Sequence, residues 1–196
     1  LWVACSKLET IEQAGRWGMG ALGFQFVSAE TARTWIDAYY AAFTKQLQPI
    51  TNHATNPNLA IVSPFMCAET DDEAQRRAEG WSFFQFALGE YGKGPFPPGS
   101  RDLWKEYLAW RESPAGRKIG TSGLIGSPET IRNRLRKFEA SHIDQVVLLN
   151  QAGKNQHDHI CESLELFAQE VMPEFHANEA QHEAWKAEVL AGERTL

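Results

Sequence analysis

The chain has 196 residues, enough for one domain with a real core. Hydrophobic residues make up 43% and charged residues 22%, which excludes a disordered or membrane-spanning class. The formal charge is −6 and no basic patch dominates, so a general binder of nucleic acid or anionic membrane is excluded as well.

Four short apolar runs read as buried strands: Leu1–Cys5, Ala21–Phe26, Leu59–Phe65 and Ile143–Leu149. A helix start follows each. After the first run, Ser6 and Glu9 have the spacing of a capping box, and Leu8, Ile11, Ala14 and Trp17 repeat at helical spacing from about Lys7 to Trp17. Ser28 caps a second helix with Trp35, Tyr39 and Phe43 on one face. Thr70 and Glu73 form another box, opening a helix over about 70–90. An aromatic helix is expected near 102–112. Ser127 caps a further helix with Pro128 at its first position. The last helix points Ile160, Leu164, Phe167 and Val171 inward, and the polar tail 176–196 is expected as an exposed, partly helical extension.

Alternating strands and helices imply a parallel sheet with helices packed outside it. The third unit is oversized, with an insertion at about 89–127 of the kind that forms lids or substrate walls. Gly18, Gly20 and Gly23 spell G-x-G-x-x-G, the spacing of a dinucleotide-binding turn. Here, however, the order is helix, glycines, strand, the reverse of what that fingerprint needs. The glycines read as a turn from helix into strand.

Cys5, Cys67 and Cys161 are odd in number and far apart, which favours free thiols in a reducing, cytoplasmic compartment over disulfides or a zinc site. The sequence opens on LWVACS, directly in an apolar run and without an initiating Met. The expectation is the C-terminal part of a longer protein.

Three stretches resemble the luciferase-like family of flavin-dependent oxidoreductases: LWVACSKLETIEQAGRWGMGALGF, GSPETIRNRLRKFEASHIDQVVLL and NQAGKNQHDHICESLELFAQEVMPEF. The resemblance reaches to about Phe175 and implies an α/β fold of parallel βα units. It corresponds to the C-terminal half of a (β/α)8 TIM barrel, with a large insertion before the last strand. Residues 1–175 would form that half-barrel. In such barrels the ligand end lies at the C-terminal ends of the strands.

By resemblance, the turn after the first strand holds the flavin phosphate, and the matching residues are Ser6 and Thr10, with Cys5 beside them. A capping role for Ser6 with Glu9 is the plainer alternative. Asn150 and Gln151 leave the last strand toward the ligand end, where Gln151 is a candidate contact of the flavin. His157 and His159 do not share a helix face and have no third ligand nearby, so no metal is expected. Trp81, Trp104 and Trp110 read as packing residues, with an aromatic substrate wall as the alternative. No catalytic residue is named, because the family's assisting side chains come mainly from the other half of the barrel.

The resemblance implies an FMN-dependent monooxygenase. It would oxidise a small organic substrate with O2 and reduced FMN supplied by a reductase. A deazaflavin-dependent oxidoreductase and a non-catalytic flavin-binding or interaction protein are the alternatives. The expected partner is a second copy of the chain or an N-terminal half.

Overall fold

A computed structural model describes residues 1–23, 28–120 and 123–196. The expected strand end at Phe24–Phe26 lies outside the described residues. Two compact units divide the chain. Unit 1 comprises Leu1–Ser63, Asn133–Leu148 and Pro173–Leu196, and unit 2 comprises Pro64–Arg132 and Leu149–Met172.

In unit 1, β1 (Trp2–Cys5) and β2 (Gly20–Gly23) pair in parallel, with Trp2 opposite Gly20 and Cys5 opposite Gly23. Beyond them lies β3 (Leu59–Cys67), parallel to β2 with Ala21 opposite Leu59. β5 (Gln145–Leu149) also pairs with β3. All nine residues of β3 are buried, Ser63 included, as a strand covered on both faces requires. β1 and β5 depart from the fully buried expectation. Trp2, Ala4, Gln145 and Val147 are exposed while Cys5 is buried and Val3 and Val146 are half-buried. A period-2 strand with one face bare shows this alternation.

The helices of unit 1 cover the other face. α1 (Leu8–Arg16) buries Ile11 and Ala14, and α2 (Ala29–Lys45) buries Ala32, Trp35, Ile36, Tyr39, Tyr40 and Phe43. The Ser28 hydroxyl accepts the Thr31 N–H at 3.3 Å and so caps α2. The three glycines have separate steric reasons. Gly18 ends α1 at φ +70°, and a Cβ on Gly20 or Gly23 would come within 2.5 Å of the Trp2 or Trp35 ring. They serve packing, as the order of elements requires.

Residues 176–196, expected as an exposed and partly helical extension, supply most of α9 (Met172–Ala191), and this helix buries Trp185, Lys186 and Val189. Trp185 and Val189 belong to the same apolar cluster as Ile11, Ile36, Tyr40, Leu59 and Ile143.

Unit 2 holds the end of β3 and a strand the sequence reading missed, β4 (Leu124–Gly126), parallel to β3 with Phe65 opposite Leu124. The expected helix over 70–90 is two helices, α3 (Asp71–Arg77) and α4 (Glu79–Gly92), broken at Ala78. α5 (Leu103–Trp110) matches the aromatic helix, and α6 (Pro114–Gly120) was not foreseen. α7 (Pro128–Ala140) starts in unit 2 and runs into unit 1, and α8 (His157–Glu170) completes unit 2. Its core gathers Met66, Ala74, Trp81, Ile125 and Ile160.

Candidate functional site

The turn from β1 into α1 brings together Cys5, Ser6, Lys7 and Thr10. The strand ends at Cys5 because that side chain enters the core, and the chain then reverses into the helix. Ser6 is not the cap. Lys7 occupies the N-cap position with extended backbone, φ −141° and ψ 157°. The Thr10 hydroxyl reaches back across the first turn, donating to the Lys7 carbonyl at 2.8 Å and accepting the Lys7 N–H at 3.3 Å. The expected box between Ser6 and Glu9 is therefore replaced by one between Lys7 and Thr10, one residue later. The reason is that a threonine at the third helical position can satisfy the cap residue's backbone without a capping side chain.

This shift changes what each residue can offer. Ser6 is exposed, and its hydroxyl makes no hydrogen bond among the described residues. The Lys7 ammonium is exposed and forms no ion pair there either. Lys7 was not singled out from the sequence, although a basic residue in a strand-to-helix turn is the signal that could have found it. Thr10 already uses its hydroxyl twice within the turn. The Cys5 thiol lies 3.3 Å from the carbonyls of Val3 and Thr10, and burial pushes its pKa up. A neutral, hydrogen-bonded thiol is a packing group and no nucleophile.

The helix start itself favours an anion. The Thr10 N–H already donates to the Lys7 carbonyl at 3.1 Å, which leaves the Leu8 and Glu9 N–H groups without a backbone acceptor among the described residues, and the dipole places partial positive charge there. An exposed hydroxyl and an unpaired ammonium beside that helix end fit a phosphate group.

Gln151 belongs to unit 2. It is exposed in the turn after β5 and makes no hydrogen bond among the described residues. The neighbouring Asn150 carbonyl accepts from the Asn155 side chain at 2.9 Å, so this loop is internally tied. The tryptophans of unit 2 pack on one another's neighbours. Trp81 is buried, Trp104 stands 5.1 Å from Phe83 with the Lys154 ammonium 3.8 Å above its face, and Trp110 meets Phe86 at 5.1 Å.

Unit 2 also has a cavity of about 300 Å³ beside the end of β3, lined by Cys67, Glu69, Glu73, Arg77, Glu162 and Glu165 among others. Arg77 is spent there on Glu73 at 2.6 Å and Glu162 at 2.7 Å. Its carboxylates disfavour an anion, so it is not the phosphate site. No group of three or more His, Cys, Asp or Glu among the described residues is arranged to hold a metal ion. His157 instead approaches the Cys161 sulfur at 3.6 Å on α8.

No curated protein sequence matches the chain. Solved structures do. The apo structure of MsnO8 is 21% identical with a TM-score of 0.60, covering 86% of this chain and 49% of its own. The oxygenating constituent of 3,6-diketocamphane monooxygenase from Pseudomonas putida was solved in complex with FMN. It is 20% identical with a TM-score of 0.57, covering 88% of this chain and 48% of its own. The coenzyme F420-dependent tetrahydromethanopterin reductase of Methanopyrus kandleri is 14% identical, also with a TM-score of 0.57, covering 89% and 50%. At these identities the likeness shows the fold, an α/β arrangement of parallel strands, and the chain spans about half the length of the structures it matches. The family model described as luciferase-like monooxygenase matches residues 1–145, and the chain belongs to that family.

Proposed function

We propose that the chain forms part of a flavin-dependent monooxygenase that oxidises a small organic substrate with O2, with the flavin phosphate held at the turn from β1 into α1. The observation that carries this reading is the exposed pair of Ser6 hydroxyl and Lys7 ammonium at the start of α1, neither with a side-chain partner among the described residues, in a chain of the luciferase-like family. Bound there, reduced FMN supplies the oxygen-activating chemistry through its ring, and the protein supplies position and electrostatics.

The chain's own residues would divide the work. Ser6 donates a hydrogen bond to a phosphate oxygen, Lys7 balances its charge, and the free N–H groups of α1 complete the cradle. Thr10 keeps its hydroxyl on Lys7 and so shapes the turn, contacting phosphate only through its one remaining lone pair if the group is protonated. Cys5 closes the core beneath. Gln151, exposed after β5, is the candidate for a hydrogen bond to the flavin ring or substrate. A reductase partner, a cytoplasmic location and association into a dimer belong to the same reading. No helix among the described residues is long and apolar enough to cross a membrane.

A deazaflavin coenzyme is the second reading, since the F420-dependent reductase matches with the same TM-score as the FMN-bound monooxygenase. Titrating the protein with FMN and with a deazaflavin, followed by substrate-dependent O2 uptake, tests both. Saturable FMN binding that weakens in Ser6→Ala supports the first reading. Deazaflavin binding without O2 uptake favours the second. FMN affinity unchanged in Ser6→Ala and Lys7→Ala rejects the phosphate assignment.

A further inference from the structure

In unit 1, helix α9 is fastened by a charged node and an aromatic stack that the flavin reading does not use. Asp144, whose side chain is 2% exposed, is the node. Its carboxylate accepts from the Tyr40 hydroxyl at 2.9 Å, the Leu59 N–H at 2.7 Å, His182 Nε2 at 3.0 Å and the Lys186 ammonium at 3.1 Å. Lys186 donates also to the Asn58 side-chain carbonyl at 2.7 Å. The Lys186 ammonium therefore supplies the counter-charge to the buried Asp144 carboxylate.

The stack stands beside this node. The His142 imidazole lies parallel to the Trp185 indole, with ring centres 4.0 Å apart and planes 5° apart. His182 lies 5.6 Å from the same indole and 6.5 Å from His142. Tyr40 meets the Trp185 edge-on at 5.6 Å. His142 has a φ of 61° and closes α7 in the left-handed region, its N–H donating to the Glu139 carbonyl at 2.9 Å. Trp185 is 5% exposed.

We infer that α9 is an acid-weakened clamp: protonation of His142, whose ring is stacked on Trp185, favours opening of the helix from the core of unit 1. His142 is the group that resists charge. Desolvation by burial holds its pKa below the ordinary value of 6.5, and Arg33 of α2, His182 of α9 and Arg194 beyond α9 act in the same direction. Asp37 of α2 acts the other way but is paired with Arg33 at 2.9 Å. The indole face attracts a cation, which also favours the charged ring. That attraction is one contact set against burial and three cationic neighbours.

The direction of the pH effect follows. A histidine that stays neutral in the fold contributes stability that is complete above its unfolded value. That stability is lost as pH falls through 6.5 toward the lower folded value. Each proton taken up on opening multiplies the open population by up to about tenfold per pH unit.

Hydrogen-exchange protection of residues 180–190 at pH 7.5 and 5.5, corrected for intrinsic exchange, tests the clamp. The expected result is a severalfold fall in protection at pH 5.5 in the native sequence, with about tenfold as the upper limit for one histidine. In His142→Asn, which tolerates the left-handed backbone without a titrating ring, protection at pH 7.5 is lower but nearly independent of pH. Equal protection of native α9 at both pH values, or a pH slope that survives in His142→Asn, overturns the clamp. Should His142→Asn not fold, the His142 ring titration by NMR decides. A midpoint below 6.5 that coincides with α9 opening supports it, and a midpoint at or above that value overturns it.

Discussion

The Asp71 carboxylate holds the first turn of α7: Oδ1 accepts the Ser127 N–H at 2.7 Å and Oδ2 accepts the Thr130 hydroxyl at 3.0 Å. These residues are 56 and 59 positions apart in sequence, so the start of α3 caps a helix that begins much later. Removing the carboxylate in Asp71→Ala strips both bonds and the favourable charge at a helix start. The expected cost is about 1–2 kcal/mol, the scale of a lost cap. Thr130→Val, which loses one of the two bonds, should cost about half as much. Urea unfolding of the two variants measures it, and equal, negligible losses would mean that water replaces the clamp.

The phosphate assignment makes a separable prediction. Ser6→Ala should weaken FMN binding by about 1–3 kcal/mol, the range for a hydrogen bond to a charged group, and leave flavin-free stability almost unchanged because Ser6 supports nothing else. Thr10→Val should do the reverse, since its hydroxyl bonds are internal to the turn. A fluorescence titration paired with a thermal melt distinguishes them. Lys7→Ala should act as Ser6→Ala does, with an effect that shrinks as salt is raised.

These particulars show why parts of the molecule were legible in sequence. β3 could be read over Leu59–Phe65 because that short, mostly apolar run, followed by the Thr70 cap, suits a buried strand, and the structure extends it to Cys67. The glycine turn could be read because Gly18 ends one period and the strand starts another. The cap of α1 was misplaced because serine is the better capping residue in general, while here the Thr10 hydroxyl satisfies the Lys7 backbone and makes Lys7 the cap position. The helical character of the tail was legible, but the burial of α9 was not, because Trp185 and Val189 stand in a mostly polar run and their partners Ile11, Ile36, Tyr40, Leu59 and Ile143 are remote in sequence. The break between α3 and α4 falls at Ala78, two residues before Gly80, a glycine within the run that was read as one helix.

Asp144 should be among the costliest single positions. In Asp144→Ala the Lys186 ammonium stays buried without a counter-charge, and Tyr40, His182 and the Leu59 N–H lose their acceptor. A loss of about 3–5 kcal/mol is expected. Lys186→Met should cost less, because the carboxylate keeps its three other donors while the apolar stem of the lysine is replaced in kind. Denaturant midpoints of the two variants give the order, and a larger loss in Lys186→Met would contradict it.

The three thiols should differ in reactivity. Burial, with Glu69 as the next cause, pushes the Cys67 thiol up to about 12, and burial raises Cys5 too. At pH 8 the thiolate fraction of Cys67 is then about one in ten thousand. Cys161 is partly exposed beside His157. A disulfide reagent at pH 8 should label Cys161 first and the other two only on unfolding. Fast labelling of Cys67 in the folded protein would show that its strand end opens.

The bare faces of β1 and β5 carry the last prediction. Among the described residues β1 pairs only with β2 and β5 only with β3, so each has one unpaired edge. Trp2 and Val147 are each 44% exposed, although tryptophan and valine in a strand normally pack against a covering layer. Open edges and an uncovered apolar sheet face are what another chain can pair with or cover. The matched structures are about twice as long, and a parallel sheet of this kind is stable only when both its faces are covered. The isolated 22.1 kDa chain is therefore expected to associate at micromolar concentration. Val147→Glu, which places a charge on the bare face, should shift it toward monomer at little cost to its own core, because Val147 buries little there. Sedimentation velocity over a tenfold concentration range reads this directly. A concentration-independent monomer with cooperative unfolding would show that the sheet face is covered from within the chain.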